Sequence, residues 1–546
     1  MEPEWVEPYR GRFDDGWDAY RASVLARQVE LGIVPAGTEP APRDPDVRAW
    51  EDLGDDERRM FARQMEVYAG FLTQTDHHVG RVLAFLEEIG ELDDTIVIAI
   101  SDNGPSAEGR PAGTFNELSF FNWIPERAED NLSRLDSWGG PDTFPHYSWG
   151  WAWAGATPFR RWKRETYRGG IADPCIISWP AGISAAGELR HQFLHAIDVV
   201  PTLLDVVGIA PPSAIRGVPQ RELHGASARA TFDDPDAPAP RSTQYFEMFG
   251  HRSLHHDGWR AVCPFVGPSF AEAAGAGRVF GITELSSELL EHLDATGWEL
   301  YHVADDPGET RNLAEAEPQR LQAMIQRWYA EAGRFGVLPL AAASLERFVA
   351  PRPTLTGARR RCVFLRDAAP VPFTVAPRVV NRAHSITAEV TIFDDGADGV
   401  LLSQGNRHGG YALYVLGGRL HYVHNYLGLE RTTVSAAEPL TPGPHTLRFE
   451  FEPTGAPEAL AGRGTPGTVT LYVDGAPAAT GALPVTVPVT FGFVGVSCGY
   501  DATDAVDPTC WSAPFRFTGG LSRVTVELDG DPADDASRRR ELLGRQ

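Results

Sequence analysis

Lysine is almost absent from this chain of 546 residues. Lys163 is the only one, and every other basic side chain among the 49 lysines and arginines is an arginine. An ammonium is a compact point charge and a guanidinium is a broad planar fork, so the two are not interchangeable at a tight site. A coding bias toward arginine that left one solvated lysine is the simpler alternative. The survival of Lys163 indicates a position that needs a compact cation.

Cysteine and long apolar runs are scarce as well. No run of eighteen apolar residues offers a transmembrane helix, and the residues after Met1 lack the basic and apolar regions of a secretory signal. The five cysteines contain no C-x-x-C pair, which argues against a zinc site or a disulfide framework; they are Cys175, Cys263, Cys362, Cys498 and Cys510. We therefore expect a reduced, cytoplasmic protein that does not associate with membranes.

Positive charge is in deficit over the whole chain. The formal net charge of -25 repels nucleic acid and anionic lipid at long range, which predicts no nucleic-acid partner. An anionic substrate would therefore need a local cationic pocket.

The first part of the chain has the pattern of an α/β fold. Apolar residues recur at intervals of three and four over residues 56–88, which predicts one or two long helices. Residues 95–100 form a continuous apolar, β-branched run, the pattern of a parallel strand covered on both faces. A second unit follows, with a strand over 174–179 and a helix over 199–207 for which Asp198 is a good N-cap.

The rest of the chain has a different character. Short strands from about residue 244 and a helix over 318–335 predict a small α+β subdomain. Short alternating runs between residues 386 and 528, separated by turn residues, predict an all-β sandwich. The predicted boundaries are 1–240 for the α/β domain, 241–340 for the α+β subdomain, 341–362 for a linker, 363–530 for the sandwich and 531–546 for a charged tail.

Two oxygen donors follow the first predicted strand directly. The run 95–100 leads into Ser101-Asp102-Asn103-Gly104, which places a carboxylate and an amide at the carboxyl end of a strand, where open α/β sheets hold their ligands. Hard oxygen donors of this kind suit Ca²⁺ or Mg²⁺. Taken alone, the same residues would also fit a simple Asx turn closed by Asn-Gly.

Several further motifs occur in a fixed order along the chain. They are the stretch 113–117 (Gly-Thr-Phe-Asn-Glu), Thr157-Pro158-Phe159-Arg160 through Lys163, Glu165-Thr166 with Gly169-Gly170, the stretch 195–204, and Trp298-Glu299-Leu300-Tyr301 with Asp306-Pro307 and Asn312-Leu313. With the Asp-Asn pair, this order resembles the sulfatase family, in particular the large bacterial arylsulfatases, over about residues 9–335. The resemblance implies part of an alkaline-phosphatase-like core and hydrolysis of a sulfate ester, from a small molecule or a sulfated glycan, to alcohol and sulfate.

The resemblance also implies roles for single residues. Asp102 and Asn103 would bind a divalent cation, usually calcium and alternatively magnesium, and Lys163 would contact the sulfate group. Family sulfatases use a formylglycine made from the Cys or Ser of a C/S-x-P-x-R motif, while the metal and the lysine stabilise charge on the sulfate oxygens. His146, seventeen residues before Lys163, could edge the same pocket, although an aromatic-rich loop more often packs than reacts.

The nucleophile of the family is not found at the expected place. Ser512-Ala513-Pro514-Phe515-Arg516 fits the bare pattern but follows the sulfatase-like region, and Cys362-Val363-Phe364-Leu365-Arg366 lacks the proline. The chain therefore resembles the carboxyl-terminal portion of a sulfatase, for which a complementing N-terminal sulfatase fragment would be a partner. The sandwich resembles concanavalin-like or laminin-G-like modules. An alternative reading is a non-catalytic protein that binds glycan or sulfate on a degenerate sulfatase scaffold.

Overall fold

The computed structural model describes residues 1–122, 124, 126–264, 288, 291, 297–340 and 359–529. They group into two compact units. The mixed unit comprises Glu2–Pro111 and Tyr147–Leu345, and the sandwich unit comprises Met1, Ala112–His146 and Glu346–Gln546. Most of the predicted linker and the charged tail lie outside the described residues, and the domain boundaries drawn from composition stay predictions.

Helices are concentrated in the mixed unit. Within the described residues they are α1 (Pro3–Val6), α2 (Gly16–Glu30), α3 (Asp55–Glu88), α4 (Leu118–Phe121), α5 (Ala128–Leu132), α6 (Trp149–Gly155), α7 (Arg168–Ile171), α8 (Val199–Val206) and α9 (Pro318–Arg334). None of these helices combines the length and the hydropathy that a membrane span would need.

Strands lie mostly in the second half of the chain. The mixed unit contains β1 (Val97–Ile100), β2 (Cys175–Ser178), β3 (Ala214–Ile215), β4 (Val218–Pro219), β5 (Thr243–Met248), β6 (His251–His256), β7 (Trp259–Cys263) and β8 (Glu299–His302). The sandwich unit contains β9 (Arg361–Phe364), β10 (His384–Ile392), β11 (Gly399–Asn406), β12 (Gly409–Leu416), β13 (Arg419–Tyr426), β14 (Glu430–Ser435), β15 (Gly443–Pro453), β16 (Gly467–Val473), β17 (Ala476–Leu483), β18 (Val496–Cys498) and β19 (Gly520–Leu528). The predicted order of a mixed α/β region followed by a β-rich region is confirmed.

The longest helix, α3, is buried in its first half and exposed in its second. The side chain of Glu57 accepts a hydrogen bond from the backbone N–H of Gly54 at 3.0 Å, which satisfies a donor that the helix start would otherwise leave unpaired. Met60 and Phe61 are buried, whereas Phe71 and Phe85 are more than half exposed. The apolar spacing therefore predicts the helix correctly, but part of its apolar side is exposed in the described structure.

The prediction of a parallel strand covered on both faces is wrong for the described residues. β1 and β2 form a two-stranded antiparallel sheet in which Val97 pairs with Ser178 and Ile100 with Cys175. Ile100 is 50% exposed and Ile176 is 66% exposed. The apolar run indicates burial, but no described element supplies the cover.

Exposed apolar side chains recur elsewhere in the mixed unit. We define the exposed apolar set as Phe71, Val79, Val82 and Phe85 of α3, Ile100 and Ile176 of the β1–β2 sheet, Val200 of α8, and Ile215 and Val218 of β3 and β4. Single exposed apolar side chains are common on soluble proteins, whereas a contiguous apolar patch of more than a few hundred Å² marks an interaction site.

The helix α8 confirms the prediction over residues 199–207, but its N-terminus is not capped as expected. Asp198 makes no side-chain capping bond to α8. It accepts hydrogen bonds from the N–H groups of His195 (2.9 Å) and Ala226 (2.8 Å) and is ion-paired with Arg241. The buried carboxylate therefore joins two loops instead of closing a helix.

The predicted α+β subdomain is confirmed. β5 to β8 form an antiparallel sheet in sequence order, and α9 packs against it. Leu254, Leu300 and Trp328 are fully buried between the two. The Trp328 indole donates to the carbonyl of Phe246 at 3.2 Å, which fixes the helix on the sheet.

The sandwich unit consists of two antiparallel sheets. One has the order β17-β16-β15-β10-β19-β9 and the other β14-β13-β12-β11-β18. Alternate residues of the facing strands, among them Ile386, Leu413 and Phe449, are fully buried in a common core. This arrangement confirms the sandwich prediction. β15 alternates between buried and more exposed residues, whereas β11 and β12 are buried on both faces, because Val400, Ala412 and Tyr414 pack in a second cluster with Ala505, Val506 and Trp511.

A segment far away in sequence belongs to this unit. The side-chain amide of Asn122 donates to the carbonyl of Thr490 at 2.9 Å and accepts from the N–H groups of Val489 and Thr490 at 3.0 Å. Asn116 donates to the carbonyls of His408 (3.1 Å) and Leu427 (2.8 Å). The side-chain amides of Asn116 and Asn122 thus satisfy backbone N–H and carbonyl groups of the sandwich, and they hold residues 112–146 in this unit.

Candidate functional site

The predicted cation ligands lie on the loop that follows β1. Ser101 donates through Oγ to the carbonyl of Asn103 at 2.9 Å, and Asn103 donates through Nδ2 to the carbonyl of Gly104 at 2.9 Å. Because the amide nitrogen is engaged locally, the Oδ1 of Asn103 is the atom that could face a cation. Asp102 is exposed and Asn103 is partly exposed.

A second carboxylate lies near Asp102. Burial, and after it the negative charge of Asp102, raises the pKa of Asp173 to about 6. Two carboxylates that repel each other favour a bound cation, because a divalent ion would offset both charges. The oxygen donors Asp102 and Asn103 therefore fit a hard cation such as Ca²⁺ or Mg²⁺.

The cation loop is held directly against the segment that contains the lysine. The N–H of Lys163 donates to the carbonyl of Pro105 at 3.0 Å, and the N–H of Gly104 donates to the carbonyl of Gly170 at 3.2 Å. A Cβ atom at Gly104 would lie 1.8 Å from the carbonyl oxygen of Gly169. The close approach of the two backbones therefore requires glycine at position 104. The backbone of Lys163 is bonded to Pro105, which follows Asn103 by two residues.

The ammonium of Lys163 is paired with a residue that the sequence did not single out. Lys163 Nζ lies 3.0 Å from Glu108 Oε2, and Arg164 Nη2 lies 3.1 Å from Glu108 Oε1. Burial alone would raise the pKa of Glu108, but Arg164 and Lys163 outweigh it and hold this pKa below its usual value. The side chain of Lys163 is 31% exposed, so the ammonium can still reach a ligand.

The arginines of the same segment have structural partners. Arg161 Nη1 lies 2.6 Å from Asp44 Oδ2, and Arg160 Nη1 lies 3.1 Å from the Tyr301 hydroxyl. Arg21 of α2 donates to the carbonyl of Phe159 at 2.9 Å. These contacts hold the Lys163 loop at several points, whereas Lys163 and Arg164 direct their side chains to Glu108.

The structure places the remaining predicted residues in the sandwich unit. His146 pairs with Thr114 through backbone hydrogen bonds of 2.9 Å in both directions, so its role at the pocket edge stays a prediction. Cys362 lies on β9, and the loop between β18 and β19 contains Ser512 and Arg516, whose guanidinium is paired with Asp367 at 2.7 Å. Neither pattern belongs to the unit that contains Lys163.

Comparisons with known proteins support the resemblance of the chain to sulfatases. The family model for sulfatases matches residues 1–209. The resemblance to sulfatases is confirmed. An uncharacterized sulfatase of Schizosaccharomyces pombe is 31% identical over 341 residues, which cover 61% of this chain and 55% of that protein. An arylsulfatase of Klebsiella aerogenes is 27% identical over 228 residues, 42% of this chain and 47% of that enzyme.

The chain thus spans about half the length of these curated relatives. Among solved structures, the CBM40 of a Ruminococcus gnavus sialidase is similar to 34% of the chain and 99% of its own length, with 12% identity and a TM-score of 0.23.

Proposed function

We propose that this chain is the carboxyl-terminal part of an arylsulfatase-type enzyme that hydrolyses R-O-sulfate to an alcohol and sulfate. The observation that carries the proposal is the joined pair of loops, in which the Lys163 N–H is bound to Pro105 beside the Asp102-Asn103 pair. A hard-cation site and a compact ammonium then belong to one small region of the mixed unit. The sulfatase family match over residues 1–209 includes both loops.

Each residue of this half-site has a specific task in the proposal. Asp102 and Asn103 would hold the cation, calcium or alternatively magnesium, which would polarise a sulfate oxygen when bound. Lys163 would neutralise a second oxygen, and stabilisation of this kind is worth about 10²- to 10³-fold in rate per donor. The residues of the mixed unit offer no C/S-x-P-x-R precursor for formylglycine, so no step through that group is assigned to this chain.

The exposed apolar set supports a partner segment. Burial of one large apolar side chain contributes roughly 1.5–3 kcal/mol, so a polypeptide that covered α3 and the β1–β2 sheet would bind favourably. We propose that an N-terminal sulfatase segment, upstream in the same polypeptide or in a separate chain, covers these residues and supplies the nucleophile. Its substrate would be a sulfate ester of a small molecule or of a glycan.

A cytoplasmic location remains part of the proposal. The five cysteines are free thiols in the structure, and proteins of reducing compartments keep their thiols in this form. Fractionation of cells that express the native gene would test the location directly.

The decisive experiment is a substitution of Lys163 in the complete enzyme or in the complex with the complementing segment. Lys163→Ala should lower kcat/KM for an aryl sulfate by about 10²-fold or more, because one oxygen of the transferred group loses its compensating charge. Lys163→Arg tests the need for a compact cation and should restore only a small part of the rate. Arg27→Ala on the exposed side of α2 is the matched control for loss of one positive charge. Unchanged kinetics for Lys163→Ala would refute the assignment.

A further inference from the structure

Glu108 is a nearly buried carboxylate in direct contact with the proposed sulfate-binding cation. Its side chain is 10% exposed. Oε2 accepts hydrogen bonds from Lys163 Nζ at 3.0 Å and from Ser106 Oγ at 2.9 Å, and Oε1 accepts from Arg164 Nη2 at 3.1 Å. Both oxygens are therefore engaged, and the carboxylate is fixed beside the ammonium.

The ammonium keeps donors for a ligand. A lysine carries three N–H donors, and Glu108 takes one of them here. An anion bound to Lys163 would therefore lie a few ångströms from a fixed negative charge. The guanidinium of Arg164 and the ammonium of Lys163 supply two positive charges, and Glu108 places a fixed negative charge between them.

We propose that Glu108 determines the charge selectivity of this site, so that a monoanionic sulfate ester is accepted and a dianionic phosphate ester is rejected. The inference rests on the proposed function, because it assumes that the anion binds at Lys163. A sulfate monoester carries one negative charge at neutral pH, whereas a phosphate monoester carries nearly two above its second pKa of about 6. The repulsive energy between Glu108 and the ligand is proportional to the ligand charge, so it is about twice as large for the phosphate ester as for the sulfate ester.

The test compares two probes of similar shape, methyl sulfate and methyl phosphate, bound to the full chain at pH 8 in the presence of calcium. Calorimetric or NMR titration gives both dissociation constants for the unmodified chain and for Glu108→Gln, Glu108→Asp and Lys163→Ala. The Coulomb interaction of unit charges several ångströms apart near a protein surface predicts that Glu108→Gln lowers the preference for methyl sulfate roughly 10- to 100-fold. Glu108→Asp should keep most of the preference, because the charge remains.

Ser106→Ala is the second variant, since it removes a hydrogen bond to Glu108 without changing any charge. Ser106→Ala should keep the ratio of the two dissociation constants within about twofold of the ratio for the unmodified chain. If Glu108 had only a structural role, Ser106→Ala and Glu108→Gln would change this ratio by similar factors. An unchanged ratio in Glu108→Gln, with Lys163→Ala still weakening both probes, overturns the inference and leaves the proposed function in place. Binding of both probes that is insensitive to Lys163→Ala, or no binding of either probe to the unmodified chain, refutes the anion site and the inference with it.

Discussion

Acidification should destabilise the sandwich unit through two buried histidines. His384 on β10 and His424 on β13 line a small cavity of about 20 Å³, together with Thr486 and Phe491. The Nε2 atoms of both rings have no hydrogen-bond partner among the described residues. Burial lowers the pKa of His384 to about 4, and burial together with the nearby His384 lowers the pKa of His424 to about 3.

The sign and the size of the effect follow from proton linkage. Between pH 6.5 and the lowered pKa values of the folded unit, the two histidines bind protons in the unfolded chain but not in the folded unit. Their contribution to the free energy of unfolding is therefore fully present above about pH 6.5 and is lost as the pH decreases. At pH 5 both rings are still neutral in the folded unit. Each therefore costs about 2 kcal/mol, the free energy of 1.5 pH units below the unfolded pKa, because both folded-state pKa values lie below 5. The pair should cost about 4 kcal/mol between pH 7 and pH 5.

Urea unfolding of the full chain at pH 7 and pH 5 measures this loss, with hydrogen exchange of peptides from β10 and β13 read by mass spectrometry to follow the sandwich unit alone. The double variant His384→Leu/His424→Leu should lose about 4 kcal/mol less than the unmodified chain over this range, because its leucines do not titrate. His78→Leu, at an exposed position of α3, is the matched control. The same pH dependence in the double variant and in the control would show that the two histidines do not cause the loss of stability.

Two further substitutions test loop contacts of the mixed unit. Gly104→Ala should destabilise the mixed unit by about 3 kcal/mol or more and abolish calcium binding, because its Cβ would lie 1.8 Å from a carbonyl oxygen. Gly80→Ala on α3, where no atom lies within 4 Å, is its control and should raise stability by up to about 1 kcal/mol; equal melting temperatures for the two variants would contradict the clash. Asp198→Asn should cost about 3 kcal/mol in thermal unfolding, because Arg241 loses its buried partner, and the companion change Arg241→Met should recover part of that loss.

The elements with a regular apolar period were predictable from the sequence. α3, α8 and α9 and most strands of the sandwich follow spacings of three and four or of two, and these spacings depend only on the local chain. The proximity of Lys163 to the Asp102-Asn103 loop was predictable in another way, through the order of the sulfatase motifs. The hydrogen bond between Lys163 and Pro105 agrees with that prediction, although the roles of these residues remain to be tested.

The errors and omissions have a common physical cause. The apolar run before Ser101 indicates that this strand favours burial. It does not indicate which element covers the strand or whether the adjacent strand is parallel or antiparallel to it. Glu108 lies 55 residues from Lys163 in the sequence, and no periodic pattern connects the two. Likewise the bonds from Asn122 to Thr490 span 368 residues. Contacts of this kind depend on how loops return in space, which local spacing does not encode.

The contacts named above for the proposed half-site join residues of the mixed unit. Lys163 is fixed by Pro105 through its backbone and by Glu108 through its side chain, while Arg161 is anchored on Asp44. A site whose first ligands are already held loses less conformational entropy when the remaining parts are added. The exposed apolar set and the loops therefore have different roles in the proposed assembly. The apolar side chains would contribute most of the association free energy. The loops would present a cation site and an ammonium that need little rearrangement.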